Sequence, residues 1–92
     1  MRIALTDAFQ RHIRALPELE RAAACEALLN LSTAFGDARH HAGLGLRKLH
    51  GSGVFEIRTG LGLRFVFLVQ DQTATLVLAG RHDQVRRWLA RR

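Results

Sequence analysis

Arg58 and Arg64 lie symmetrically about Leu61 in the run Val54-Phe55-Glu56-Ile57-Arg58, Thr59-Gly60-Leu61-Gly62, Leu63-Arg64-Phe65-Val66-Phe67-Leu68. Glycines flank the midpoint and both arms alternate with period two. The spacing predicts a β-hairpin in which the two guanidinium groups are direct cross-strand neighbours. Like charges so placed repel. An anion between them would turn that repulsion into a grip, because guanidinium binds phosphate bidentately and stays charged at any working pH. Following the alternation one strand further adds Arg81 to the same face, with His82 at the strand's end. Arg47 and Lys48 approach from the loop before the hairpin. Histidine or lysine can change protonation near neutrality when its surroundings lower its pKa.

A basic sheet face of this kind suits an RNA backbone. RNA also permits a reaction without a metal. Its 2′-hydroxyl attacks the adjacent phosphate when a base takes its proton and an acid protonates the leaving 5′-oxygen. The chain has no carboxylate cluster for a metal, and His40-His41 are adjacent residues that point apart. Neither a metal nor a cofactor is expected.

The elements that must carry these residues read as α+β, in a single domain over residues 1–92. Arg2 to Leu5 is a candidate edge strand. Thr6 caps a helix over residues 7–16, with Phe9, Ile13 and Leu16 at helical spacing. Pro17 ends it and opens a second helix over 18–35, whose buried stripe is Ala24, Leu28, Leu31 and Phe35, closed by Gly36. Cys25 is read there as a small buried side chain. Residues 36–46 form a loop. Strands follow at about 53–59, 63–69 and 73–79, the last two joined by a two-residue turn at Asp71-Gln72. That turn places Phe65 opposite Leu78 and Phe67 opposite Leu76, with Ala79 on the arginine face. Asp83 is the candidate cap of a short final helix with Val85, Trp88 and Leu89 inward. The predicted architecture is thus an N-terminal helical hairpin on a twisted antiparallel sheet of three to four strands, with a short C-terminal helix.

The net charge of +6 is unevenly placed. Residues 1–45 are neutral, with Arg2, Arg11, Arg14, Arg21 and Arg39 against Asp7, Glu18, Glu20, Glu26 and Asp37. All the excess falls in residues 46–92, the half that holds the hairpin. That asymmetry points to a polyanionic partner. No apolar run approaches the roughly 20 residues of a membrane span. No signal peptide is legible, and the lone Cys25 fits a reducing cytoplasm.

The segments Leu49-His50-Gly51, Val54-Phe55-Glu56-Ile57-Arg58, Gly62-Leu63-Arg64-Phe65-Val66-Phe67 and Leu76-Val77-Leu78-Ala79-Gly80-Arg81-His82-Asp83 resemble the RelE/ParE toxin superfamily of bacterial toxin–antitoxin modules. The resemblance implies one of two activities. RelE-like members cleave mRNA, usually on the ribosome, and so inhibit translation. ParE-like members poison DNA gyrase and are not nucleases. A third alternative is a degenerate relative that only binds RNA or an antitoxin. A cognate acidic antitoxin is the implied protein partner.

Carried over, the arginine of the family's Tyr-Arg strand falls on Arg64. The basic loop falls on Arg47 and Lys48, and the basic position after the last strand on Arg81 or His82. The late aromatic, often a tyrosine, falls on Trp88. This chain contains no tyrosine, and an indole can stack on a base but cannot hand over a proton as a phenol does. The expected catalytic set is therefore Arg64 and Arg81 on the scissile phosphate, with His82 and Lys48 moving protons. Arg47, Arg58, Trp88, Arg86 and Arg87 are the expected RNA contacts. Each has a plainer alternative. Arg64 can be salt-bridged and Arg58 can pair with Glu56 or Glu26. Lys48 can be solvated, His82 can serve the helix end, and Trp88 can be core.

Overall fold

The computed structural model describes residues 2–34, 47–50, 53–59 and 62–92. Phe35, Gly36, the predicted loop 36–46 with His40-His41, and the hairpin tip at Gly60-Leu61 lie outside the described residues. In chain order the elements are β1 (Arg2–Leu5), α1 (Asp7–Arg14), α2 (Glu18–Ala34), β2 (Arg47–His50), β3 (Val54–Arg58), β4 (Arg64–Gln70), β5 (Thr73–Gly80) and α3 (His82–Ala90). The strands form one mixed sheet in the order β1-β5-β4-β3-β2. The α+β class, the helical hairpin and the final helix are as expected. Among the described residues the sheet has five strands rather than three to four, and its first strand runs parallel to β5. β2 lies between the predicted loop 36–46 and the strand expected from about residue 53, where no strand was expected. Its sequence, Arg-Lys-Leu-His, holds one apolar residue and no alternation, so no strand signal was available there.

Thr6 joins strand to helix. Its hydroxyl donates to the Leu76 carbonyl at 2.9 Å and accepts from the Phe9 amide at 3.2 Å. The cap starts α1 where β1 leaves the sheet, which presses Phe9 onto Phe65 in an edge-to-face contact with centroids 5.1 Å apart. α2 adds Ala24 and Leu31 to the same core, together with Ile57, Phe67 and Leu76. Cys25 is exposed, contrary to expectation. It lies one residue off the buried position taken by Ala24, on the rim of the groove between α1 and α2.

The β3–β4 register is symmetric, and Arg58 stands opposite Arg64 as predicted. Thr59 closes the hairpin with its amide on the Leu63 carbonyl at 2.8 Å. The β4–β5 turn is the expected two-residue turn. Asp71 and Gln72 both take positive φ, 52° and 59°, as the hairpin turn that follows sheet twist demands.

The β4–β5 pairing then departs from simple alternation. Phe67 faces Leu76 as expected, but Val66 faces Leu78 and Phe65 faces Ala79. Val77 is the extra residue of a β-bulge, which reverses the facing of everything after it. Leu78 moves to the second face of the sheet and Ala79 moves under the helical hairpin. Gly80, not Ala79, stands opposite Arg64. The second face also has a core of its own. α3 sets Val85 against Val54, Val66 and Leu78, with Leu49, Trp88 and Leu89 packed around them. The sheet is covered on both sides, and at one end of the second face Glu56 and several arginines stand together.

Candidate anion-binding site

That end is built around Glu56, which is 2% exposed. Its Oε1 lies 3.3 Å from Arg64 Nη1 on β4, and its Oε2 lies 3.4 Å from Arg47 Nε on β2. The pleat explains the geometry. Arg47 is the cross-strand partner of Glu56, and Val66, two residues along β4 from Arg64, is its partner on the other side. Partners share a face, so three charged side chains converge there. Arg58, two residues along β3, shares that face and is exposed. Among the described residues no carboxylate lies within ion-pairing distance of it. The alternative in which Arg58 pairs with Glu56 or Glu26 is not realised; Glu56 forms an Arg64–Glu56–Arg47 triad, because the carboxylate reaches across the sheet to its neighbours rather than along its own strand. Arg64 is 20% exposed and Arg47 65%, so the triad runs from a buried carboxylate out to solvent.

Arg81 does not join this group. Once the bulge has reversed the facing, its side chain reaches the helical hairpin and pairs with Glu20 of α2. Its guanidinium also lies close to Gly62, whose φ of +77° suits glycine. The Arg81 amide donates to Gln84 Oε1 at 2.7 Å, so Arg81 rather than Asp83 is the N-cap of α3. Asp83 lies within the first turn, where a carboxylate favours the helix dipole. His82 is the first residue of α3 and is exposed.

Lys48 pairs with Phe55 and therefore lies on the opposite face from Arg47 and Arg64. Sequence adjacency had suggested that the two basic residues act together. As strand neighbours they point apart. Trp88 is half-buried in the second core, and the Arg92 guanidinium carbon lies 5.1 Å from its ring centroid. Its indole packs against the edge of that core. Arg86 and Arg87 are exposed on α3, where they line a shallow depression with Asp83 and Ala90.

Two partners went unrecognised in the sequence. Glu20 carries no motif, and only the tertiary fold brings it to Arg81. His12, on α1, accepts a hydrogen bond at Nδ1 from the Ala79 amide at 3.3 Å. β1 reaches only as far as Leu76 along β5. His12 thus satisfies an edge amide that the short strand leaves uncovered. Burial lowers its pKa from the ordinary 6.5, and the neighbouring Arg11 lowers it further. With Leu16, Leu63, Gly80, Arg81 and Gln84 it lines a cavity of about 190 Å³. Among the described residues no group of three His, Cys, Asp or Glu side chains could hold a metal ion. No helix of the described residues is long and apolar enough to cross a membrane.

No protein-family model and no curated protein matches the sequence. Solved structures do match the fold. The isolated RelE toxin of Escherichia coli superposes with a TM-score of 0.67 at 17% identity, covering 98% of this chain and 96% of that one. The RelBE2 toxin–antitoxin complex from Mycobacterium tuberculosis gives a TM-score of 0.60 at 22% identity, covering 88% and 96%. YafQ from E. coli gives 0.65 at 14% identity, covering 92% and 98%. The fold is that of the RelE-type toxins, as the motifs around the hairpin had implied. Within that fold the arginine cluster lies at the end of the sheet marked by the Arg58–Arg64 pair.

Proposed function

We propose that the protein is the toxin of a bacterial toxin–antitoxin module and acts as a metal-independent endoribonuclease on mRNA at the ribosome. The observation that carries this reading is the convergence of Arg47, Arg58 and Arg64 on one end of a sheet of RelE type. Arg58 and Arg64 would hold the non-bridging oxygens of the scissile phosphate and stabilise the charge that develops there. The 2′-oxygen loses its proton and bonds to phosphorus, the bond to the 5′-oxygen breaks, and the 5′-oxygen is protonated. The products are a 2′,3′-cyclic phosphate and a 5′-hydroxyl. His82 is the candidate proton carrier. Lys48 loses that role because it lies on the other face. Arg81, paired with Glu20 on the helical-hairpin face, stands apart from this phosphate. Arg86 and Arg87 extend the basic surface along the RNA. An acidic antitoxin covering the arginine cluster would hold the protein inactive in the cytoplasm.

The test is addition of purified protein to a translating extract, with mapping of RNA ends. New 5′-hydroxyl ends that weaken in Arg64→Ala and Arg58→Ala support the reading. Intact message at high protein concentration, or full cleavage by both variants, overturns it.

One observation favours a second reading. Arg64 and Arg81 are each already paired to a carboxylate, and the acid–base equipment is thin without a tyrosine. A ParE-like inhibitor of DNA gyrase needs neither free arginines nor proton transfer. Loss of supercoiling activity with RNA left intact would select it.

A further inference from the structure

Glu56 brings a negative charge into a cluster proposed to bind phosphate. A buried carboxylate there repels the ligand and is itself costly to desolvate, so its position calls for a physical reason. The geometry supplies one. Each oxygen takes a single guanidinium: Oε1 that of Arg64 at 3.3 Å, Oε2 that of Arg47 at 3.4 Å. The two arginines come from strands on either side of β3. Arg58 stands directly opposite Arg64, so an unanchored Arg64 would swing away from its like-charged neighbour. A guanidinium offers five N–H donors in a rigid fork. The contact of Arg64 with Glu56 engages one terminal nitrogen, which leaves donors for a second anion.

We propose that Glu56 is a positioning residue: it holds Arg64 and Arg47 in one fixed orientation so that, with Arg58, they grip a single phosphodiester of RNA. The proposal rests on the nuclease reading for the identity of the ligand, but not for the positioning itself. Glu56 makes no contact with substrate. It acts by fixing the guanidinium planes before substrate arrives, which spares the ordering of two long side chains on binding.

The experiment is guanidinium NMR on the whole protein, paired with single-turnover RNA cleavage. In the wild type, the Arg64 guanidinium gives resolved signals of restricted rotation, and inorganic phosphate shifts Arg58 and Arg64 together. In Glu56→Gln with the backbone spectrum preserved, the Arg64 signals average and phosphate shifts Arg58 alone. RNA binding by Glu56→Gln stays equal or tightens, since a negative charge is gone. Its cleavage rate falls about tenfold to a hundredfold, the range expected when a contact group is misplaced by ~1 Å. A loss of both binding and rate together would mark Glu56 as merely structural and overturn the proposal. So would wild-type cleavage by Glu56→Gln. The wild-type spectrum decides even where the variant does not fold, because freely rotating Arg64 in the native protein overturns the idea outright. If the wild type cuts no RNA, the nuclease reading falls alone and the guanidinium spectra still decide the role of Glu56.

Discussion

Two carboxylates meet arginines on opposite faces of the same sheet, and they do so in different surroundings. Glu56 sits inside the second face at 2% exposure, between Arg64 and Arg47. Glu20 lies on the helical-hairpin face at 15% exposure, and its partner Arg81 is 48% exposed. Water screens the Arg81 pair, and an exposed pair of this kind is worth about 0–1 kcal/mol. The Glu56 carboxylate has little water, so its arginines stand in for solvation. The first contact can open and close at little cost. The second is a fixed part of the fold. A competing anion can therefore displace Glu20 from Arg81 more easily than it can displace Glu56 from its arginines.

The comparison breaks most sharply in Arg64→Met. Removing this guanidinium leaves a buried carboxylate with Arg47 alone. We expect a loss of about 3 kcal/mol, the low end for breaking a buried pair because one partner remains. The midpoint of denaturant unfolding measures it. A loss below that of Glu20→Gln would abolish the distinction between the two faces.

His12 is next in size, and it tests the Glu20 face through the backbone of β5. His12→Ala leaves the Ala79 amide without its acceptor and should cost about 1–3 kcal/mol. The wild type should also show a pH slope. The native pKa of His12 lies below the unfolded 6.5, so the folded state binds fewer protons. Its contribution is complete above about pH 6.5 and is lost as pH falls from there through the lowered native value. Thermal unfolding between neutral and mildly acidic pH should follow this trend. His12→Asn, whose side-chain oxygen accepts at any pH, should flatten it.

Gly80 links the two faces. It stands opposite Arg64, and a Cβ built on it would lie 2.7 Å from Gln84 Oε1, the atom that caps the Arg81 amide. Gly80→Ala should displace that cap and cost about 1 kcal/mol. The double variant with Gln84→Ala should lose less than the sum of the two single losses, because the clash and the cap share one side chain. Calorimetry on the four proteins measures it.

The smallest effect belongs to Glu20→Gln. Stability should fall by less than about 1 kcal/mol, and added salt should erase the difference from wild type. A larger, salt-insensitive loss would mean that the Arg81 pair is structural as well.

Local signals in the sequence carried far. Thr6 as a cap, the Asp71-Gln72 turn, the symmetric Arg58–Arg64 register and the apolar faces of β3 and β4 all rest on interactions within a few residues, or on a period of two. These were read correctly, and the motifs around them pointed to the RelE-type fold. The misread parts share a physical cause. β2 has too few apolar residues to alternate. The bulge at Val77 has no glycine to announce it. Asp83 is a good cap by type, but Gln84 holds the Arg81 amide and starts the helix two residues earlier. Lys48 and Arg47 were grouped by adjacency although a strand separates such neighbours.

The amino-acid sequence by itself determined that an arginine pair would face across a hairpin, and that the basic half would hold it. Side-chain period and turn chemistry are local, so they need no tertiary knowledge. Only the tertiary structure decided which carboxylate each arginine meets. With 14 basic and 8 acidic residues, many pairings are chemically equivalent. One extra residue at Val77 sent Arg81 to Glu20 rather than to the face of Arg64, because a one-residue shift in a strand reverses every side chain beyond it.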